Sequence, residues 1–492
     1  MHKIVAVAAA ALILVGVAGI VAPRRGLSVR EYTVEGMPVR VFVRRDMDSA
    51  SAPGVVVAHG FAASSRMMTG YAYTLAHAGY AVAVMDFAGH GANRNRLEGG
   101  GDRLQADVDA VVDVLIAQPE VDRGRIAIVG HSMGSGAAMT AAIRRPDLFD
   151  AVVALSPTGA EVTPDLPRNL LLMAGGWEPR FVANAERLLD QAGGERNTAN
   201  ARALVVIPNV EHIGIVFSAR SQTQTREWLD SVFDATGPSF TDRRPLWFVA
   251  LVVGAIGLAL ASAPVIRRAR PVGAERGAGD LPAVRDDRFV LRGIVGPVVA
   301  VAALAAATAL TRVSGGAGLA NLGGIAVGGA LSVWFGVCGV IWLLVGFRPA
   351  PPRVASLLLG LGLFGVLFAA VGLAGEQIVF QWMLTAFRAL RWPFASLLVL
   401  PWCIAAGYAQ SGRTAAGRIG VYALVAAPTT VALAIVGLFI PGFFFVVLIL
   451  PVVPIVIAVM MAIGAAADDP WAYATGTALF FGWLLVAVFP LA

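Results

Sequence analysis

The chain has 492 residues, 57% of them hydrophobic and only 14% charged, where soluble proteins average about 25% charged. That length exceeds one ordinary domain, and that composition excludes a wholly soluble globule. The formal net charge of +6 would fit a nucleic-acid binder, but the basic residues are almost all arginines at the ends of apolar runs, where they set membrane topology, which argues against that partner class.

Lys3 precedes an uncharged apolar run, 4–22, long enough to cross a bilayer. Pro23 directly after it is a poor residue to follow a signal-peptide cut, so residues 1–23 read as an uncleaved anchor. Residues 24–244 carry most of the acids and bases and read as a soluble domain. It opens with two alternating segments, 29–34 and 39–43, which predict a β-hairpin around Glu35 and Gly36. Buried-type strands are then expected at 54–58, 81–85, 125–129, 151–155, 169–173 and 203–207. Helices are expected at 67–78, 102–117, 135–144, 180–191 and 222–233. Strands rich in β-branched residues alternating with helices predict an α/β domain, its mostly parallel sheet covered on both faces.

From residue 245 the chain becomes a polytopic helical domain with about eight apolar runs: 246–266, 293–310, 322–346, 354–372, 394–407, 419–440, 443–465 and 471–491. The 394–407 run is short for a span, and 376–391, with Glu376, Arg388 and Arg391, is expected as an interfacial helix or an extension of that run. Cys338 and Cys403 lie inside apolar runs and give neither a disulfide framework nor a metal spacing. The arginine-rich loop holding Arg267, Arg268, Arg270, Arg276, Arg285, Arg288 and Arg292 should be cytoplasmic. Alternation from there puts Arg348, Arg353, Arg413 and Arg418 inside and residues 24–244 outside, with Arg24, Arg25 and Arg30 the dissenting charges. The expectation is an integral protein of a bacterial plasma membrane with its soluble domain extracytoplasmic. No acid or base stands in the middle of the later runs, which argues against an ion-coupled transporter.

The chemistry gathers around Gly130-His131-Ser132-Met133-Gly134, which follows the apolar strand 126–129 and precedes small helix-compatible residues. This is a G-x-S-x-G nucleophile elbow in strand–turn–helix context, with glycines where a strained turn leaves no room for bulk. A serine hydroxyl needs a base, and the base needs an orienting acid. His212 follows the last strand in Pro208-Asn209-Val210-Glu211-His212 and is the candidate base among six histidines. Glu178 follows the preceding strand in Gly175-Gly176-Trp177-Glu178 and is the candidate acid, with Asp165, Glu161 and Glu211 as rivals. The order Ser132, Glu178, His212 is the one this elbow calls for. An oxyanion hole needs two backbone N–H groups; Met133 is one candidate donor, and Phe61 in His59-Gly60-Phe61 is the other. Asp86 reads as a structural pin for its own loop.

With these motifs, residues 32–233 resemble the α/β-hydrolase superfamily of serine hydrolases, near its esterase, dienelactone-hydrolase-like or bacterial acylaminoacyl-peptidase-like branches. The segments that carry the resemblance are HGF at 59–61, DFAGHG at 86–91, GHSMG at 130–134, GGWE at 175–178 and EH at 211–212. The resemblance implies an acyl-enzyme on Ser132, hydrolysed by water that His212 activates, with no metal or organic cofactor. Serine rather than cysteine at the elbow disfavours dienelactone hydrolase chemistry itself, and glutamate stands where aspartate is commoner. The link 156–168, with Pro157, Pro164 and Pro167, is too short for a helical lid. The site is then open, or is covered by the membrane part or by loops bearing Met67, Met68 and Trp177. The expected function is cleavage of carboxylic esters, of lipids or other apolar acyl compounds, by a membrane-embedded serine hydrolase whose partners are its ester substrate and the bilayer. The alternatives are a peptidase or acyltransferase using the same triad, or a non-catalytic ligand-binding domain of a transporter or sensor.

Overall fold

The computed structural model describes residues 2–98, 100–195, 200–268, 287–314, 319–346 and 349–492. Arg270, Arg276, Arg285 and Arg348 lie outside the described residues. The chain divides into two compact units. One comprises Ala18–Leu246 together with Glu376–Thr385 and Pro490–Ala492, and the other comprises Met1–Val17, Trp247–Gly375 and Ala386–Phe489.

The first unit is built on an eight-stranded sheet: β1 (Leu27–Val34), β2 (Met37–Arg44), β3 (Ala52–Ala58), β4 (Ala81–Met85), β5 (Val121–His131), β6 (Ala151–Leu155), β7 (Leu170–Gly175) and β8 (Arg202–Ile207). Their spatial order is β1-β2-β4-β3-β5-β6-β7-β8. β1 and β2 form the expected hairpin, and β2 pairs antiparallel with β4. Every other pairing is parallel. Glu35 and Gly36 take positive φ, 48° and 84°, as a two-residue hairpin turn matched to the strand twist requires.

The helices α2 (Thr69–His77), α3 (Gly100–Ile116), α4 (Met133–Arg144), α5 (Pro179–Gln191), α6 (Gly214–Phe217) and α7 (Ala219–Phe233) cover the sheet. Alternation along the strands sorts the core into two layers. On β3, Val56 and Ala58 pack with Val108, Val111 and Leu115 of α3 and Ala138 of α4. Val55 and Val57 pack on the opposite face with Tyr71 and Leu75 of α2 and Leu229 of α7. Two-sided burial explains why these strands are near-continuous apolar runs rather than alternating ones.

The second unit is helical. Its elements are most of α1 (His2–Val21), α8 (Arg244–Arg268), α9 (Asp287–Val313), α10 (Gly328–Gly346), α11 (Val354–Leu367), α12 (Ala386–Ala389), α13 (Trp392–Gln410), α14 (Ala415–Phe439), α15 (Phe445–Ile449), α16 (Val452–Gly464) and α17 (Pro470–Val488). Among the described residues, eight helical stretches are long and apolar enough to cross a membrane: one near the N-terminus and seven after residue 243. α16 falls short of that length.

Two expectations for this half change. Residues 376–385 form turns and irregular chain instead of an interfacial helix, whereas from Ala386 the chain extends the 394–407 run into a helical stretch, Ala386–Gln410, long and apolar enough to cross. The 443–465 run is broken in two, because Pro451 lacks the N–H that would continue α15 into α16. Helix contacts use small residues: a Cβ on Gly339 of α10 would lie 2.0 Å from the Trp402 nitrogen of α13, so only glycine permits that approach. The buried Arg388 closes the carboxyl end of α17, donating to the carbonyls of Val486 and Phe489.

Leu172 is fully buried in β7, between β6 and β8. Leu172→Ala is expected to destabilise the sheet unit by about 2–5 kcal/mol. That loss reads out as a lower melting temperature of the detergent-solubilised protein, and an unchanged value would contradict the packing described.

Candidate active site

The carboxyl ends of the parallel strands carry the loops that matter. β5 ends at His131, α4 begins at Met133, and Ser132 between them has φ 52° and ψ −119°, a conformation rare for a non-glycine residue. Its surroundings enforce it. Ser132 N–H donates to the Leu155 carbonyl at 2.9 Å, and the Ser132 carbonyl accepts from Ser135 Oγ at 2.5 Å and Thr158 Oγ1 at 3.1 Å. The glycines of the motif are required by contact: a Cβ on Gly130 would stand 2.1 Å from the Gly134 carbonyl oxygen, and one on Gly134 would stand 2.5 Å from the His59 carbonyl oxygen. The turn lifts the Ser132 hydroxyl to the sheet rim, 9% of the residue remaining accessible.

Two other loops meet it there. His212, between β8 and α6, lies with Nε2 3.0 Å from Ser132 Oγ. Its Nδ1 lies 2.8 Å from Glu178 Oε2. With Nδ1–H donating to the carboxylate, Nε2 is left as the acceptor facing the hydroxyl. Glu178 stands at the position preceding Pro179, the first residue of α5, and is buried. Its Oε1 accepts from Ser156 Oγ at 2.6 Å and from the Gly175 N–H. Three donors thus fix the carboxylate that holds the imidazole.

The rivals for the acid stand elsewhere. Asp165 and Glu161 are exposed on the 156–168 link. Glu211 accepts from the N–H groups of Ile213 and Gly214 at 2.6 and 2.8 Å, at the start of α6. Asp86 accepts from Ser65 N–H at 2.7 Å and Ala92 N–H at 2.9 Å, pinning two loops together.

Met133 is the first residue of α4, so its N–H has no acceptor within the helix. Phe61 follows Gly60, where a Cβ would stand 3.1 Å from Ser132 Cβ, which puts the Gly60–Phe61 stretch alongside the hydroxyl-bearing residue. Beneath it, the fully buried His59 places Nδ1 2.7 Å from the Gly60 carbonyl and accepts from Phe87 N–H through Nε2 at 3.0 Å. Burial holds the His59 imidazole below its ordinary pKa, with Asp86 pulling the other way.

Three neighbours were not singled out by sequence. His131 donates from Nε2 to the His212 carbonyl at 2.9 Å, and its ring lies 4.8 Å from that of His212. Burial, then the His212 charge, pushes His131 well below the usual histidine range, so it is neutral. The Phe181 ring covers His212 from 4.4 Å, and Ser156, with φ 44°, supplies the hydroxyl to Glu178. His131 is visible in the motif as the residue before the serine, whereas Ser156 and Phe181 carry no local signature.

The 156–168 link contains no helix, so no helical lid is inserted there. Met68 is fully buried and Met67 packs against the core, whereas Trp177, next to Glu178, is 66% exposed. Among the described residues, no three His, Cys, Asp or Glu side chains are grouped as metal ligands.

A family model described as serine aminopeptidase, S33 (Hydrolase_4), matches residues 50–213. An uncharacterized protein of Mycobacterium tuberculosis strain H37Rv, Rv2307c, is 31% identical over a 211-residue alignment that covers 38% of this chain and 72% of that protein. Among solved structures, the chain is similar to a dienelactone hydrolase from Anabaena variabilis, at 22% identity and a TM-score of 0.32 over 42% of this chain and 97% of that one. It is also similar to an esterase from Pyrobaculum calidifontis, at 17% identity and a TM-score of 0.35 over 47% and 92%.

The two buried histidines have a consequence for stability. Below the unfolded-state pKa of about 6.5 the unfolded chain takes up protons at His59 and His131 that the folded protein refuses. The stability they allow is therefore full above about pH 6.5 and declines as pH falls. The melting temperature should drop between about pH 7.5 and about pH 5.5, and His131→Gln should narrow that drop. An equal drop in wild type and variant would contradict the assignment.

Proposed function

The chain belongs to the α/β-hydrolase family, and from that premise we propose that it is a membrane-anchored serine hydrolase that cleaves carboxylic esters of apolar acyl groups. The observation that carries this reading is the continuous hydrogen-bonded line from Ser132 Oγ through His212 to Glu178, with spacings of 3.0 and 2.8 Å. In the reaction His212 Nε2 takes the Ser132 proton as Oγ attacks the ester carbonyl. Glu178 holds the imidazole in the productive tautomer and offsets its transient positive charge. The Met133 and Phe61 N–H groups receive the oxyanion, the alcohol departs with the proton from His212, and water activated by the same imidazole releases the acid. The acyl preference is supported by the exposed Trp177 beside Glu178, an apolar surface at the site. A peptidase reading of the same three residues is favoured by one observation, the serine aminopeptidase description of the matching family model.

The sidedness we infer is extracytoplasmic for the sheet unit. Arg413 and Arg418 follow α13, Arg353 precedes α11 and Arg267 lies in the last turn of α8; alternation from α8 puts all of them on the side opposite the sheet unit, as the positive-inside rule asks. The same alternation returns Glu376–Thr385 and Pro490–Ala492 to the side of the unit they belong to. For Pro490–Ala492 it does so only if 445–464 crosses as one broken helix, and about 20 residues at about 1.5 Å each reach the required thickness.

Ser132→Ala should lower p-nitrophenyl butyrate turnover at least about a thousandfold, and Glu178→Gln about a hundredfold or more. Full turnover in Ser132→Ala would refute the ester hydrolase; cleavage of aminoacyl anilides in preference to esters would favour the peptidase. For sidedness, a cysteine introduced at exposed Gly412 should resist a membrane-impermeant maleimide in intact cells, and one at exposed Glu161 should react. The reverse pattern would invert the orientation.

A further inference from the structure

The loop 59–68 that presents Phe61 is held from below by its own neighbourhood. Asp86 accepts from Ser65 N–H at 2.7 Å, and the buried Arg40 donates from Nη2 to Ser65 Oγ at 3.2 Å. Its far end is held by residues from much later in the chain. Arg66, on this loop, lies with Nη2 3.4 Å from Glu376 Oε1 and donates from Nε to Gln381 Oε1 at 3.3 Å. Gln381 Nε2 in turn donates to Glu376 Oε1 at 3.3 Å, closing a triangle. The partners in the ion pair are 310 positions apart in sequence.

The segment that supplies Glu376 and Gln381 is seated firmly. Arg244, 2% exposed, forms a two-point pair with Asp242 at 2.8 and 2.7 Å, its Nη1 donates to the Gln377 carbonyl at 2.8 Å, and its Nη2 to Thr69 Oγ1 at 3.1 Å. Thr69 is the first residue of α2, directly after the loop. Arg24 donates to Gln377 Oε1 at 2.8 Å, and Ile378 and Trp382 are buried. The adjoining loop 86–97 is tied to the chain end: Leu491 N–H donates to the Gly89 carbonyl at 2.8 Å, and Leu97 N–H donates to the Leu491 carbonyl at 2.9 Å. Segments from the last quarter of the sequence are thus structural members of the unit that holds Ser132.

We propose that Arg66 is a positioning residue for the oxyanion-hole loop, with Glu376 and Gln381 as its brace. The inference rests on the hydrolase reading above, since it assigns what aligns the Phe61 N–H. Arg40 and Arg66 are like charges close enough to act on one another, and Glu376 supplies the countercharge that faces Arg66. Without the Glu376 charge, repulsion from the buried Arg40 drives Arg66 outward and the loop follows. Oxyanion donors work only when they stand about 2.7–3.1 Å from the developing charge, so a small displacement lowers kcat while leaving ground-state binding nearly untouched.

The test uses the full-length protein in detergent, with p-nitrophenyl butyrate as substrate and rates expressed per site titrated by a fluorophosphonate, which counts only folded sites. Arg66→Gln and Glu376→Gln should each lower kcat about ten- to a hundredfold with KM within about twofold. The double variant should be no worse than either single one, because both break the same link. Arg66→Lys should restore part of kcat, and Gln381→Leu, which leaves both charges in place, should give a smaller loss in the same direction. Wild-type kcat in the variants, losses that multiply in the double variant, or a rise in KM at constant kcat would overturn the brace while leaving the hydrolase reading intact. A wild-type protein that neither turns over the ester nor reacts with the probe would overturn both.

Discussion

A non-glycine residue held at φ 52° and ψ −119° costs the fold about 1–3 kcal/mol, and the sheet unit is arranged so that Ser132 has no alternative. Its N–H is claimed by Leu155 of the neighbouring strand, its carbonyl by Ser135 and Thr158, and the turn is pressed against the His59 carbonyl through Gly134. Relaxing the serine would break these bonds or open the contact between β3 and α4. The strain is therefore held by the rigidity of β3, β5 and β6, which are paired in parallel register and buried on both faces. What the fold gains is a hydroxyl standing clear of the sheet, beside the first turn of a helix.

Around that hydroxyl the side chains form layers with distinct tasks. Glu178 and His212 make a polar line whose outer end is tied to Ser156 and Gly175. Aromatic rings flank the line: His131 and Phe181 lie against His212, and His90 lies against both Phe61 and His59. Burial disfavours the charged forms of His131 and His59, so these two rings add no competing charge. A cation formed on His212 would then find Glu178 as its nearest countercharge.

Much of this was legible in the residues because each signal was local. The strand–glycine–serine–glycine–helix succession specified the strand-to-helix turn at Ser132, and chain order after β7 and β8 singled out Glu178 and His212, which the structure brings within hydrogen-bonding distance of one another. Parallel strands announced themselves as unbroken apolar runs. The supporting contacts were not legible, for a physical reason. Ser156 reaches Glu178 only after β6 and β7 pair, Phe181 covers His212 only after α5 docks, and neither event leaves a periodic trace in sequence. The same holds for 376–385, whose composition permits a helix but whose side chains find Arg66, Arg244 and Arg24 instead. In the helical unit, apolar content located the long helices, yet it was silent on where Pro451 would divide 445–464.

The central claim is that Ser132 is a nucleophile made reactive by His212. Intact-protein mass spectrometry after treatment with a fluorophosphonate, followed by peptide mapping, tests it most directly. A single adduct on the peptide containing Ser132, lost when His212→Ala is treated in the same way, is the result this account predicts. An adduct on another residue, no adduct in the wild type, or undiminished labelling of Ser132 in His212→Ala would contradict it.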